Sequence, residues 1–104
     1  MNMLARHAHL YTNDSKRGIL CIENLHDGMV HLLISENMAK DIQAIRFRLD
    51  LGTFEHTALQ NAYEHIGLEV FSIRVLVTAD EDEDLDELLA AQETLLLSQG
   101  KLLY

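Results

Sequence analysis

The chain has 104 residues, of which 48% are hydrophobic, and this length suits a single domain. Its formal net charge is −9, which argues against strong, non-specific nucleic-acid binding because such proteins present a basic surface to phosphates. Cys21 is the only cysteine, so a disulfide within the chain is excluded. No segment approaches the roughly 20 apolar residues of a membrane span, and no signal-peptide core stands near the N-terminus. We therefore expect a cytoplasmic protein that makes no membrane contact.

The pattern of the first residues breaks at "TNDSKRG". We therefore expect residues 1–16 to form a loosely held N-terminal arm and residues 17–104 to form one domain. The arm contains His7 and His9. Two histidines alone are weak evidence for a metal site, because zinc sites in proteins take three or four protein ligands. The two histidines of the arm therefore do not predict a bound cofactor.

Two apolar, partly β-branched runs open the domain, at residues 18–23 and 29–34. The segment "NLHDG" between them supplies turn chemistry. Asp27-Gly28 is a strong signal for a tight turn, since glycine adopts a positive φ without steric cost. The two runs predict an antiparallel β-hairpin.

Two amphipathic helices are predicted to follow the hairpin. Asn37 is a plausible N-cap of the first helix, and Gly52 ends it. The second helix ends at Gly67. Their apolar positions recur at helical spacing: Met38, Ile42, Ile45 and Leu49 in the first, and Leu59, Ala62, Tyr63 and Ile66 in the second.

A strand is predicted over residues 71–77, where side chains alternate between two faces. The alternation places Ser72, Arg74 and Leu76 on one face. The other face, predicted to be well buried, carries Phe71, Ile73, Val75 and Val77.

An acidic run, "DEDEDLDE" at residues 80–87, precedes the last helix. Its first residues resemble an EF-hand calcium loop, but Leu85 stands where that loop requires glycine. We expect instead that the carboxylates cap the helix N-terminus, where the helix dipole favours negative charge. The predicted apolar stripe of this helix comprises Leu85, Leu88, Leu89 and Leu96.

The C-terminal region carries more apolar residues than one helix stripe needs. Two explanations remain open: a contact with a second copy or another protein, or packing of the tail on the chain's own core. The surplus residues are Leu95, Leu97, Leu102, Leu103 and Tyr104.

The predicted order is hairpin, helix, helix, strand and helix, which makes an α+β domain with a three-stranded antiparallel sheet. Three segments carry a resemblance to a known family: "GILCIEN", "VHLLIS" and "LQNAYEHIGLEVF". Over about residues 18–97 the chain resembles the GIY-YIG nuclease-like domain family. The first segment is similar to the GIY strand, and the second stands where the family has "VYIGSS". The third is similar to the family segment LQ-x-A-[WY]-x-x-x-G-x-E-x-F, with helix, glycine and strand entry in register.

The resemblance implies a phosphodiester hydrolase that uses one divalent metal ion, Mg²⁺ or Mn²⁺. A tyrosine beside the attacking water orients or deprotonates it, and an arginine neutralises charge on the phosphate. Position by position, the GIY tyrosine falls on Leu20 and the YIG tyrosine on His31. The YIG glycine falls on Leu33, and the arginine on Asp41, which reverses the charge.

The family's metal-binding glutamate, on the last helix, falls on Gln92. Glu93 takes its place if the helix register shifts by one residue, a rotation of about 100°. Two arginines near Asp41 are candidate substitutes for the lost cation. Arg48 lies about 10 Å along the helix axis, beyond the full reach of a guanidinium, and Arg46 projects from the other flank.

Three hypotheses follow from these residues. The first is a catalytically degenerate GIY-YIG-like domain that acts by binding, for which a protein partner or a second copy suits the acidic surface better than nucleic acid. The second is an active metal-dependent endonuclease with a rearranged site, using His31 as base and Glu93 as metal ligand. The third is an unrelated α+β protein-interaction module, which would follow if the last strand did not pair with the hairpin.

Overall fold

The structure is a computed structural model and describes residues 16–67 and 70–104. His7, His9 and all but the last residue of the predicted arm therefore lie outside the described residues. Within the described part of the chain, no helix has both the length and the apolar character needed to cross a membrane.

The described residues form three strands and three helices in the predicted order. The sheet has the strand order β2-β1-β3, and β1 pairs antiparallel with both neighbours. The predicted α+β fold is confirmed, and the last strand pairs with the hairpin. The elements are β1 (Gly18–Asn24), β2 (Val30–Ser35), α1 (Met38–Leu51), α2 (Thr57–Ile66), β3 (Phe71–Thr78) and α3 (Leu85–Ser98).

The hairpin turn and the two ends of α1 form at the residues that the sequence predicted. Gly28 has a φ of 80°, and the Met29 N–H donates to the Asp27 carboxylate at 2.9 Å. The side chain of Asn37 accepts a hydrogen bond from the backbone N–H at the start of α1, and Gly52 ends α1 in the left-handed conformation.

The core has two layers that meet at β1. Ile19, Leu20, Cys21 and Ile22 are all fully buried, and neighbouring residues of a strand point to opposite faces. Leu20 and Ile22 pack beneath α1 and α2, whereas Ile19 and Cys21 pack beneath α3. The helices therefore cover both faces of the sheet.

The alternation predicted for β3 is wrong at its C-terminal end. Ile19 pairs with Val77 but Leu20 pairs with Val75, so Leu76 is an extra residue in a β-bulge. Because directly paired residues share a face, the bulge moves Val77 to the α3 side, where it packs. Val75 stays on the other side and is 41% exposed.

The acidic run caps α3 as predicted. The Asp84 carboxylate accepts hydrogen bonds from the backbone N–H groups of Asp86 and Glu87 at 2.9 and 3.2 Å. This arrangement satisfies donors that the helix leaves without partners in its first turn.

Arg17 holds the loop before α3, a role that the sequence did not indicate. Its guanidinium donates to the carbonyl oxygens of Asp80 and Glu83 at 2.6 and 2.9 Å. Its Nε donates to Glu36 at 3.0 Å. One side chain thus joins the start of β1 to the β2–α1 and β3–α3 connections.

The last residues pack against the outer edge of β2. The Val30 N–H donates to the Leu102 carbonyl at 3.0 Å, and the Tyr104 N–H donates to the Val30 carbonyl at 2.9 Å. The Tyr104 hydroxyl accepts from Asn24 at 3.0 Å, and Leu103 joins the α3 core layer. Part of the leucine surplus therefore covers the chain's own core, while Leu95, Leu97 and Leu102 stay exposed.

Gly18 should tolerate no side chain. A Cβ there would lie 2.2 Å from the Val77 carbonyl oxygen, so Gly18→Ala requires backbone movement. We expect the substitution to lower the free energy of unfolding by about 1–3 kcal/mol or more, measured by urea unfolding.

Gly28→Asn is the control for this prediction. The nearest atom to a Cβ at Gly28 is the Lys101 amine at 3.6 Å, and asparagine tolerates a positive φ. A loss below about 1 kcal/mol is expected. Equal losses in the two variants would contradict the steric explanation.

Candidate functional site

A pocket of about 140 Å³ lies between α1 and the hairpin. Four aliphatic and three charged side chains line it: Leu20, Leu33, Ile34, Asp41, Ile45, Arg48 and Glu55. Three of the positions that the family resemblance singled out, Leu20, Leu33 and Asp41, therefore meet at one place.

Helix α1 supplies one wall of the pocket. Asp41, Ile45 and Arg48 are spaced four and three residues apart, so they share one face of the helix. The Asp41 carboxylate accepts a hydrogen bond from the Ser35 hydroxyl at 2.6 Å, and Ser35 is buried at the end of β2. This contact fixes an anion where the family resemblance implies a cation.

Arg48 lines the pocket but is engaged by its neighbours. Its Nε lies 3.5 Å from the Glu55 carboxylate, and its guanidinium carbon lies 5.7 Å from the centroid of the Phe54 ring. The distance to Glu55 allows an ion pair, but the Nε makes no hydrogen bond to any described residue. The two groups therefore attract each other electrostatically, although 3.5 Å exceeds the usual N–H···O hydrogen-bond range.

Leu20 and Leu33 give the pocket an apolar floor. They face each other across the hairpin, and Leu20 is fully buried. An aliphatic side chain has no group that can orient water or accept a proton. The floor therefore lacks the hydroxyl that the family resemblance implies at the position of Leu20.

His31 lies outside the set of residues that line the pocket. It is half-buried, with its ring centroid 4.5 Å from that of His56 and 6.3 Å from that of Phe54. Burial lowers the pKa of His31 below its ordinary value of 6.5, and the charge of His56 lowers it further, against an opposing effect of Glu55.

The sequence did not indicate the pairing of His31 with His56. His56 caps α2, its Nδ1 accepting from the Leu59 N–H at 3.3 Å. Histidine ranks low among N-cap residues, so no sequence signal identified this role. Glu55, which lines the pocket, was missed for a similar reason, because it lies in a loop without periodic pattern.

Gln92 and Glu93 belong to α3, which packs on the opposite face of the sheet from α1. No residue of α3 lines the pocket. Among the described residues, moreover, no three histidine, cysteine or carboxylate side chains are grouped so that they could hold a metal ion. The glutamate that the resemblance implies as metal ligand therefore does not reach the pocket, whose carboxylates are those of Asp41 and Glu55.

Cys21 is buried in the α3 core layer and is not a reactive thiol candidate. Arg74 donates a hydrogen bond to its sulfur at 3.3 Å, but burial is the larger influence and raises the pKa of the Cys21 thiol. A thiol with a raised pKa is a poor nucleophile at neutral pH.

Solved structures resemble this fold. The catalytic domain of homing endonuclease I-TevI matches with a TM-score of 0.66 and 19% identity, covering 82% of this chain and 89% of that one. A mutant of the catalytic domain of intron endonuclease I-TevI matches with a TM-score of 0.63 and 19% identity, covering 82% of this chain and 84% of that one. I-TevI is a GIY-YIG nuclease, so the chain has a GIY-YIG-like fold. Neither family models nor curated proteins gave a match.

The depressed pKa of His31 predicts a loss of stability in mild acid. Between the folded and unfolded pKa values the unfolded chain binds more protons at this residue, so the free energy of unfolding falls as the pH drops below about 6.5. His31→Gln should therefore reduce the difference in melting temperature between pH 7 and pH 5.

The matched control is His26→Gln, because His26 is exposed in the hairpin turn. It should keep the pH dependence of the unsubstituted protein. An unchanged pH dependence in His31→Gln would show that His31 titrates alike in the folded and unfolded chains.

Proposed function

Because the chain has a GIY-YIG-like fold, we propose that it is a catalytically degenerate domain of this kind. It acts by binding a protein partner, or a second copy of itself, rather than by hydrolysing phosphodiesters. The observation that carries the proposal is the lining of the pocket, where Leu20, Leu33 and Asp41 meet.

Asp41 supports this proposal by its charge. A phosphodiester entering the pocket would approach the carboxylates of Asp41 and Glu55, and like charges repel in a partly buried site more strongly than in water. The negative charge that develops in hydrolysis would meet further repulsion instead of the stabilisation that catalysis needs.

Leu20 supports the proposal by its burial. When several catalytic groups act as a unit, removing any one of them removes most of the rate enhancement. By the family resemblance, the first tyrosine position falls on Leu20, which is fully buried, and the arginine position falls on Asp41. The glutamate position falls on Gln92 of α3, a helix that does not line the pocket. A net charge of −9 adds a long-range barrier to nucleic acid.

One observation favours an active nuclease with a rearranged site. Arg48 lines the same pocket as Asp41, although it lies two turns further along α1. An arginine there supplies part of the positive charge that the family resemblance implies at the position of Asp41. Its proximity to the Glu55 carboxylate offsets that charge, so we favour the binding function.

Incubation with labelled single-stranded DNA, duplex DNA and RNA, each with Mg²⁺ or Mn²⁺, tests the proposal. We expect no cleavage above the background of a sample without protein, because the pocket lacks a hydroxyl and carries Asp41. The products are measured on denaturing gels.

Two histidine variants distinguish cleavage by this protein from cleavage by a contaminating nuclease. Cleavage that disappears in His31→Ala and persists in His26→Ala would overturn the proposal and establish the nuclease function. Cleavage that persists in both variants, and separates from the protein on further purification, belongs to a contaminant.

A further inference from the structure

We propose that the pocket receives the basic side chain, arginine or lysine, of a partner polypeptide. This inference rests on the proposed binding function and names the chemistry of what is bound. The Asp41 carboxylate makes the ionic contact, and the aliphatic floor holds the methylene groups of the incoming side chain.

The charges around the pocket do not balance. Asp41 and Glu55 are acidic and Arg48 is basic. Arg48 lies beside Glu55, at 3.5 Å, which leaves Asp41 as the excess charge. The Ser35 hydroxyl occupies one acceptor position of Asp41, and an ionised carboxylate has about four. Asp41 therefore retains acceptor capacity for an incoming cation.

The size and floor of the pocket fit one long side chain. Its volume of about 140 Å³ is below the roughly 300–1,000 Å³ of pockets that hold drug-sized ligands. Lysine and arginine bury an aliphatic stem against apolar surface while the charged end reaches a polar group. Leu20, Leu33 and Ile45 supply such a surface.

An exposed apolar stripe beside the pocket favours a protein rather than a free amine. Phe47 and Leu51 are 64% and 60% exposed. At about 100° per residue, Leu51 lies about 60° around α1 from Arg48 and Phe47 about 100° from it, both on the side of α1 away from the core. A polypeptide bound at the pocket would extend over this flank and bury it.

The test is a titration of the ¹⁵N-labelled protein with blocked tripeptides, followed by amide shifts. The probes are Gly-Arg-Gly and Gly-Lys-Gly, with Gly-Glu-Gly and Gly-norleucine-Gly for comparison. We expect at least one basic peptide to shift the amides of Leu33, Ile34 and Asp41 more than either comparison peptide. The norleucine peptide measures the contribution of the apolar stem alone.

Asp41→Asn is the informative variant, because it removes the charge and keeps an acceptor for Ser35. It should weaken binding of the basic peptide by about tenfold, the loss expected for a hydrogen bond to a charged group. Asp82→Asn makes the same charge change in the exposed loop before α3 and should change the affinity by less than about twofold.

The inference is overturned if the pocket amides do not shift, if the glutamate or norleucine peptide shifts them equally, or if Asp41→Asn binds as well as the unsubstituted protein. These outcomes are separable from the cleavage measurement. If the protein neither cleaves nucleic acid nor binds basic peptides, the proposed loss of catalysis stands and this inference is wrong. If the protein cleaves nucleic acid, the proposed function is wrong.

Discussion

The structure depends on the burial of β1 on both of its faces. Ile19, Leu20, Cys21 and Ile22 are fully buried, and each large aliphatic side chain contributes about 1.5–3 kcal/mol when buried. The α1 and α2 layer packs on one face and the α3 layer on the other. Gly18 begins this strand, and the close approach of the Val77 carbonyl there leaves no room for a side chain.

This constraint on the fold does not depend on any chemistry at the pocket. Gly18 is required by the packing of β1 against β3, whether or not a reaction takes place beside it. Leu20 fills the core beneath α1 and contributes apolar burial without a reactive group. The charged side chains Asp41, Arg48 and Glu55 line the pocket above it.

Short-range signals allowed much of the fold to be predicted. Asp27-Gly28 specified the hairpin turn, Asn37 and Gly52 bounded α1, and the acidic run capped α3, because each of these contacts spans only a few residues. The bulge at Leu76 could not be predicted in this way. It arises from the register between β1 and β3, whose paired residues at the bulge are 55 and 58 positions apart in sequence.

In the candidate site, too, some residues could be predicted from the sequence and others could not. The family resemblance located Leu20, Leu33 and Asp41, which the structure brings together at one pocket. Helix geometry suggested that Arg48 was too distant, but the pocket is long enough for both residues to line it. Glu55 and the pairing of His31 with His56 depend on how the α1–α2 connection lies against β2, for which no sequence pattern exists.

A titration of the ¹⁵N-labelled protein with thymidine 3′,5′-bisphosphate, with and without Mg²⁺, tests the central claim most directly. The claim is that this pocket no longer accepts the phosphate groups of a nucleic acid. The account predicts no shift at the amides of Leu33, Ile34 and Asp41 in either condition. Shifts that cluster at these amides, and grow when Mg²⁺ is added, would contradict it.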